Sequence, residues 1–143
     1  MSTYESLSHS RWECKYHVVF IPKGRKRALY GKIRQFLGPV FHDLARQRHS
    51  EIVEGHMVQD HVHMLIRIPP KYSVSEVIGY LKGKSAIAVA RQYSGRKKHF
   101  NGERFWARGY AVSTVGFEET QIRHYIRHQE QLDGRGETEI GQF

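Results

Sequence analysis

The sequence predicts an α+β sandwich: one four-stranded antiparallel sheet with two helices on one face, plus a helix near the C-terminus. Strand-like and helix-like periodicities follow one another as strand, helix, strand, strand, helix, strand, and then that extra helix. Only Gln59-Asp60 separates the second and third strand patterns, a gap that fits a tight antiparallel hairpin. Alternation within the third strand gives it one apolar and one polar face, as expected of a sheet covered on one side.

The first strand runs from Trp12 to Ile21, rich in aromatic and β-branched residues, and Pro22-Lys23-Gly24 ends it. Leu29, Ile33, Phe36, Leu37, Val40, Phe41 and Leu44 then recur at helical spacing over roughly five turns. Gly38-Pro39 lies inside that pattern and should kink or split the helix. Ile52 to Val58 and His61 to Ile68 form the hairpin strands, and Pro69-Pro70 stops the second. Ser73 caps a helix reaching about Tyr93, with Val74, Val77, Ile78, Leu81, Ala88 and Val89 inward. Ser94 to His99 reads as a basic loop, and Phe105 to Val115 as a fourth strand ended by Gly116. Glu118 to Leu132 is the last helix, with two acidic residues in its first turn, where the helix dipole favours them. Asp133 to Phe143 has three glycines and no periodicity, the character of a mobile tail. The order suits a ferredoxin-like or RNA-recognition-like sandwich.

A chain of 143 residues makes one domain with a real core, here 1–143. Twenty-three Lys and Arg against fourteen Asp and Glu give +9, a surplus that favours a polyanionic partner such as nucleic acid or an acidic membrane. The helices lack the basic amphipathic character a membrane surface would select, and no run is long enough to span a bilayer. A single cysteine, Cys14, rules out an intramolecular disulfide and points to the cytoplasm; its alternation with Tyr16, Val18 and Phe20 places it in the core. The first ten residues are polar, without a signal-peptide stretch.

Asp60-His61-Val62-His63-Met64-Leu65-Ile66 carries the chemistry. Residues two apart on a strand share a face, so Val62, Met64, Ile66 and Ile68 enter the core while His61 and His63 stand together opposite them. Two neighbouring imidazoles can reach one metal ion. Tyr125 and Gln129 lie one helical turn apart in the last helix, and of eight tyrosines only Tyr125 has a glutamine four residues on. Should that helix face cover the histidines, a hydroxyl and a third ligand would join the metal. Two imidazoles and an amide leave a divalent cation its full charge, which suits a Lewis acid on a phosphodiester. Oxygen and nitrogen donors in an open site favour Mg2+ or Mn2+, whereas structural zinc prefers thiolates or a third histidine. A tyrosine, with a pKa near ~10 in water, needs a nearby cation or base to attack at neutral pH.

Two other patterns fail. His124 and His128 have metalloprotease spacing, but Tyr125 replaces the glutamate that serves as base. Gly79 to Ser85 is one residue short of a phosphate-binding loop and lies within a helical pattern. Three basic regions remain as candidates for contacting a nucleic-acid backbone: Arg25-Lys26-Arg27, Lys82 with Lys84, and Arg96-Lys97-Lys98.

Taken together, Lys15 to Phe20, Asp60 to Leu65, Phe105 to Tyr110 and the Tyr125–Gln129 helix resemble the single-tyrosine transposases of insertion-sequence family 200/605. That family is a branch of the His-hydrophobe-His endonucleases. The resemblance implies that Tyr125 attacks single-stranded DNA to form a 5′-phosphotyrosine link, with His61, His63 and Gln129 as metal ligands. It implies recognition of hairpins at element ends and no nucleotide cofactor. It also implies a homodimer that joins its sheets, each C-terminal helix completing the partner's site, with Gly116 as a hinge. Transposases associated with repetitive extragenic palindromes share these motifs and usually carry extra terminal sequence. The alternative from another class is a non-catalytic single-strand-binding module, which should display aromatic residues on its central strands.

Overall fold

The computed structural model describes residues 5–7, 10–25, 29, 31–93, 105–115 and 141–143. Two short strands, β1 (Glu5–Leu7) and β2 (Ser10–Trp12), pair as a separate antiparallel ribbon. The main sheet contains β3 (Lys15–Phe20), β4 (Glu51–Val58), β5 (His61–Arg67) and β6 (Ala111–Val115), in the spatial order β4-β5-β3-β6. All three pairings are antiparallel. Helices α1 (Gly31–Gln47) and α2 (Val74–Tyr93) supply the other layer. This is the α+β sandwich expected, with the ferredoxin-like strand order. The expected C-terminal helix, 118–132, falls outside the described residues.

The core explains the choice of faces. Val18, Phe20, Met57, Val62, Met64 and Ile66 form one buried cluster with Leu37, Phe41 and Leu44 of α1 and Val77, Ile78, Leu81 and Val89 of α2. Both helices therefore lie on the face into which Val62, Met64 and Ile66 point. Trp106 joins from the side, its ring centroid 4.8 Å from that of Phe20, and its indole N–H donates to Ser85 Oγ at 2.9 Å. The Ser73 cap is as expected, its Oγ accepting the Glu76 amide at 3.0 Å.

Four details depart from the sequence reading. The first strand is shorter than Trp12–Ile21, because Trp12 closes the β1–β2 ribbon and Cys14 is only half-buried. Pro39 does not split α1: Gln35, whose carbonyl loses its amide partner, and Pro39 itself are both exposed, so water can replace the missing bond. The single strand expected over 105–115 is two pieces. Residues 105–107 bond the backbone of Ile21 and Lys23, and the chain then turns at Gly109 (φ +79°) before β6 begins.

The fourth concerns the last three residues, expected to belong to a mobile tail. Gly141–Phe143 extend the sheet beyond β4: the Met57 amide donates to Gly141 O at 2.6 Å and the Phe143 amide to Gly55 O at 2.8 Å. The Phe143 ring enters a slot between α1 and β4, with its centroid 5.6 Å from that of Phe41. Glycines form the slot's walls. A Cβ on Gly38 would lie 2.8 Å from Phe143 Cβ, and one on Gly55 would collide with the ring.

Candidate metal centre

The hairpin turn sets the site. With Val58 opposite His61, His56 falls opposite His63 and Glu54 opposite Leu65. On the other side of β5, Val19 is opposite His63 and His17 opposite Leu65. Directly paired residues share a face. The sheet face away from the helices thus carries His61, His63, His17, His56, Glu54 and Lys15, and the pairing of His61 and His63 on it is as the alternation predicts. Their ring centroids are 4.4 Å apart, nearly perpendicular.

Each ring is held differently. Asp60 is buried and its carboxylate lies 2.6 Å from His61 Nδ1. A carboxylate accepts, so Nδ1 carries the proton and Nε2 is the ring nitrogen with the lone pair. His63 lies between two rings, with His61 on one side and His17 on the other, the latter stacked at 5.7 Å with 19° between planes. Burial pushes the His17 imidazole below its ordinary pKa, so it stays neutral at pH 7. Next to them a fully buried His56 Nε2 donates to Glu54 at 3.0 Å. The strand ends remote from His61 hold an ionic group in which Lys15 meets Glu13 at 3.1 Å and Arg67 meets Glu13 and Glu51.

Among the described residues no three His, Cys, Asp or Glu side chains converge to hold a metal by themselves. A cation held by the pair His61–His63 would need a further donor of another kind, for which a glutamine amide is suitable. Tyr125 and Gln129 lie outside the described residues, as do Lys26, Arg27, Arg96, Lys97 and Lys98. Arg25 ends the 3₁₀ turn Lys23–Arg25 that follows β3. That end of β3 pairs beside Val62, so the turn sits at the same edge of the molecule as Asp60 and His61. Leu29 keeps the following chain there through a 2.9 Å bond to Gln59 O.

The lysines of α2 are elsewhere. Both belong to the helix layer, behind the sheet from the histidines. Lys84 is exposed, near the Tyr80 ring. Lys82 donates to Ala107 O at 2.8 Å and Gly109 O at 2.7 Å, and its partial burial lowers its pKa. It pins the turn before β6. Sequence reasoning missed His17, His56, Glu54 and Asp60. The signals were present: Lys15, His17 and Val19 alternate with the core residues of the first strand, and a two-residue turn sets 56 against 63 by counting.

The chain has known relatives. A family model described as "Transposase IS200 like" matches residues 10–129. The chain belongs to that family. It is 44% identical over 137 residues to the transposase for insertion sequence element IS200 of Salmonella typhimurium LT2, spanning 96% of this chain and 90% of that protein. Among solved structures, a Deinococcus radiodurans R1 protein assigned as a transposase superposes with a TM-score of 0.70 at 26% identity. The match covers 87% of this chain and 97% of that one. A REP-associated tyrosine transposase, solved bound to a REP hairpin, gives 0.63 at 16% identity over 95% of this chain and 75% of its own, a likeness of fold alone. The fold and family are those expected from the sequence.

Proposed function

We propose that this IS200-family transposase cleaves and rejoins single-stranded DNA at the ends of its element through Tyr125, with a divalent cation, Mg2+ or Mn2+, held by His61, His63 and Gln129. The observation that carries the reading is the pair of imidazoles side by side on β5, one with its tautomer set by Asp60. When bound there, the cation withdraws charge from a phosphodiester and stabilises the charge that builds up in the transition state. The Tyr125 oxygen attacks phosphorus as the bond to the 3′ oxygen breaks. The phenol gives up its proton, the leaving oxygen gains one, and a 5′-phosphotyrosine and a free 3′-hydroxyl result. Reversal of that step by another 3′-hydroxyl rejoins the strand with no nucleotide cofactor, since the ester conserves the bond energy.

The DNA partner would be a hairpin-bearing single strand. Its backbone suits the net charge of +9, with the turn that ends at Arg25 next to the histidine end of the sheet and Lys26 and Arg27 following it in sequence. Arg96, Lys97 and Lys98 are further candidates for the same backbone, as is exposed Lys84; Lys82 is better suited to its structural bonds. A homodimer that joins its sheets could use β6, an edge strand on which Val112 is 45% exposed. No described helix is long and apolar enough to cross a membrane. The module without catalysis is disfavoured because the central strands carry Lys15, His17, Val19, His61, His63, Leu65 and Arg67 on the face away from the helices, no stacking platform of Phe, Tyr or Trp.

The test mixes full-length protein with end-labelled oligonucleotides covering the element ends, with and without Mg2+, on a denaturing gel. A labelled band at protein mass that needs the metal and vanishes in Tyr125→Phe is expected. Tight binding with no covalent band on any strand would overturn the reading.

A further inference from the structure

His17 poses a question that packing alone does not answer. Its ring lies on the face of β3 away from the helices and stacks on His63, and its Nε2 is enclosed without a hydrogen bond. A buried polar nitrogen left unbonded opposes folding. A phenylalanine at this position would offer the same flat surface to His63 without that cost. Filling space is thus a poor account of an imidazole here. None of the described residues supplies the missing partner, and what the neighbouring rings are suited to gather is a cation with its oxygen ligands.

We propose that His17 is a third imidazole of the metal centre, its Nε2–H donating to an oxygen carried by the cation. That oxygen is either a bound water or a phosphodiester oxygen of the DNA; both present the same lone pair to the same donor. His17 does not itself coordinate, in keeping with the lack of any three-ligand cluster among the described residues. It steadies His63 by stacking and completes the outer sphere by hydrogen bonding. This rests on the assignment of His61 and His63 as ligands.

The test measures Mn2+ binding to the full-length protein by electron paramagnetic resonance, with and without an uncleavable single-stranded oligonucleotide. His17→Phe keeps the flat ring and removes the donor; His17→Gln restores a donor without the ring. Outer-sphere partners of metal sites are commonly worth 10–100-fold in affinity. His17→Phe should weaken Mn2+ binding about tenfold, with partial recovery in His17→Gln. Weakening already without DNA identifies the oxygen as water; weakening only in the ternary complex identifies it as phosphate. Wild-type affinity in both arms for a folded His17→Phe would overturn the proposal, as would a Gln variant no better than Phe. His63→Ala separates the two readings: if it binds Mn2+ like the wild type, the ligand assignment itself has failed. If His63→Ala loses the metal while His17→Phe keeps it, only the role of His17 has failed.

Discussion

Phe143→Ala tests whether the C-terminus is part of the folded domain. Complete burial of a phenylalanine side chain is worth about 3–5 kcal/mol on truncation to alanine. Phe143 is half-buried in its slot between Gly38 and Gly55, so about 2 kcal/mol is expected. For a domain of this size that is a fall of roughly 5 °C in melting temperature. Urea unfolding gives the first number, and hydrogen exchange at the Met57 amide, which bonds Gly141 O, localises the change. A second substitution makes the test specific. Gly55→Ala would put a methyl group into the Phe143 ring and should destabilise the wild type. With the ring removed, the collision is relieved and the same alanine, by restricting the unfolded chain, becomes neutral or stabilising by up to about 1 kcal/mol. The reversal of sign is the signature of contact. Equal effects of Gly55→Ala in both backgrounds, with Met57 exchange unchanged by Phe143→Ala, would refute a docked C-terminus.

Three further outcomes follow from the site and its supports. Asp60→Ala removes the acceptor that fixes the His61 tautomer and should weaken Mn2+ binding about 10–100-fold with the fold intact; unchanged affinity would show that the turn does not orient the ligand. Because burial lowers the His17 pKa, the unfolded chain takes up that proton first as pH falls through ~6.5. Stability present above that pH is lost on further acidification, so melting temperature in His17→Phe should fall less steeply from pH 7 to pH 5 than in wild type. Lys82→Met should cost about 1–2 kcal/mol by leaving the Ala107 and Gly109 carbonyls without their donor, with little change in single-strand affinity. A large loss of affinity at unchanged stability would return Lys82 to the DNA-binding surface.

The parts of this fold that were legible depend on local pattern. Alternation in His61 to Ile68 determines which residues can be buried, and the two-residue turn determines register, so the histidine face could be read residue by residue. Less legible features come from contacts distant in sequence. Nothing near Phe143 tells that two glycines, 17 positions apart at Gly38 and Gly55, leave a ring-sized slot between a helix and a strand. The break at Gly109 depends on a lysine 27 residues earlier. Pro39 was misjudged for a similar reason: its cost depends on whether the orphaned carbonyl meets water, which is a property of the helix's orientation and not of its sequence.

The two edges of the sheet now differ in a way that bears on assembly. An exposed edge strand offers unpaired amides and carbonyls to any other strand, and proteins cover or disrupt such edges when pairing is unwanted. On the β4 side Gly141–Phe143 take up the outward groups of Gly55 and Met57 and cover part of the edge. On the β6 side Ala111 to Thr114 are exposed, with no charged or proline residue among them to discourage a partner. Were two copies to associate sheet to sheet, β6 would be the edge with less among its described residues to oppose pairing, and the sequence runs on from β6 towards Tyr125.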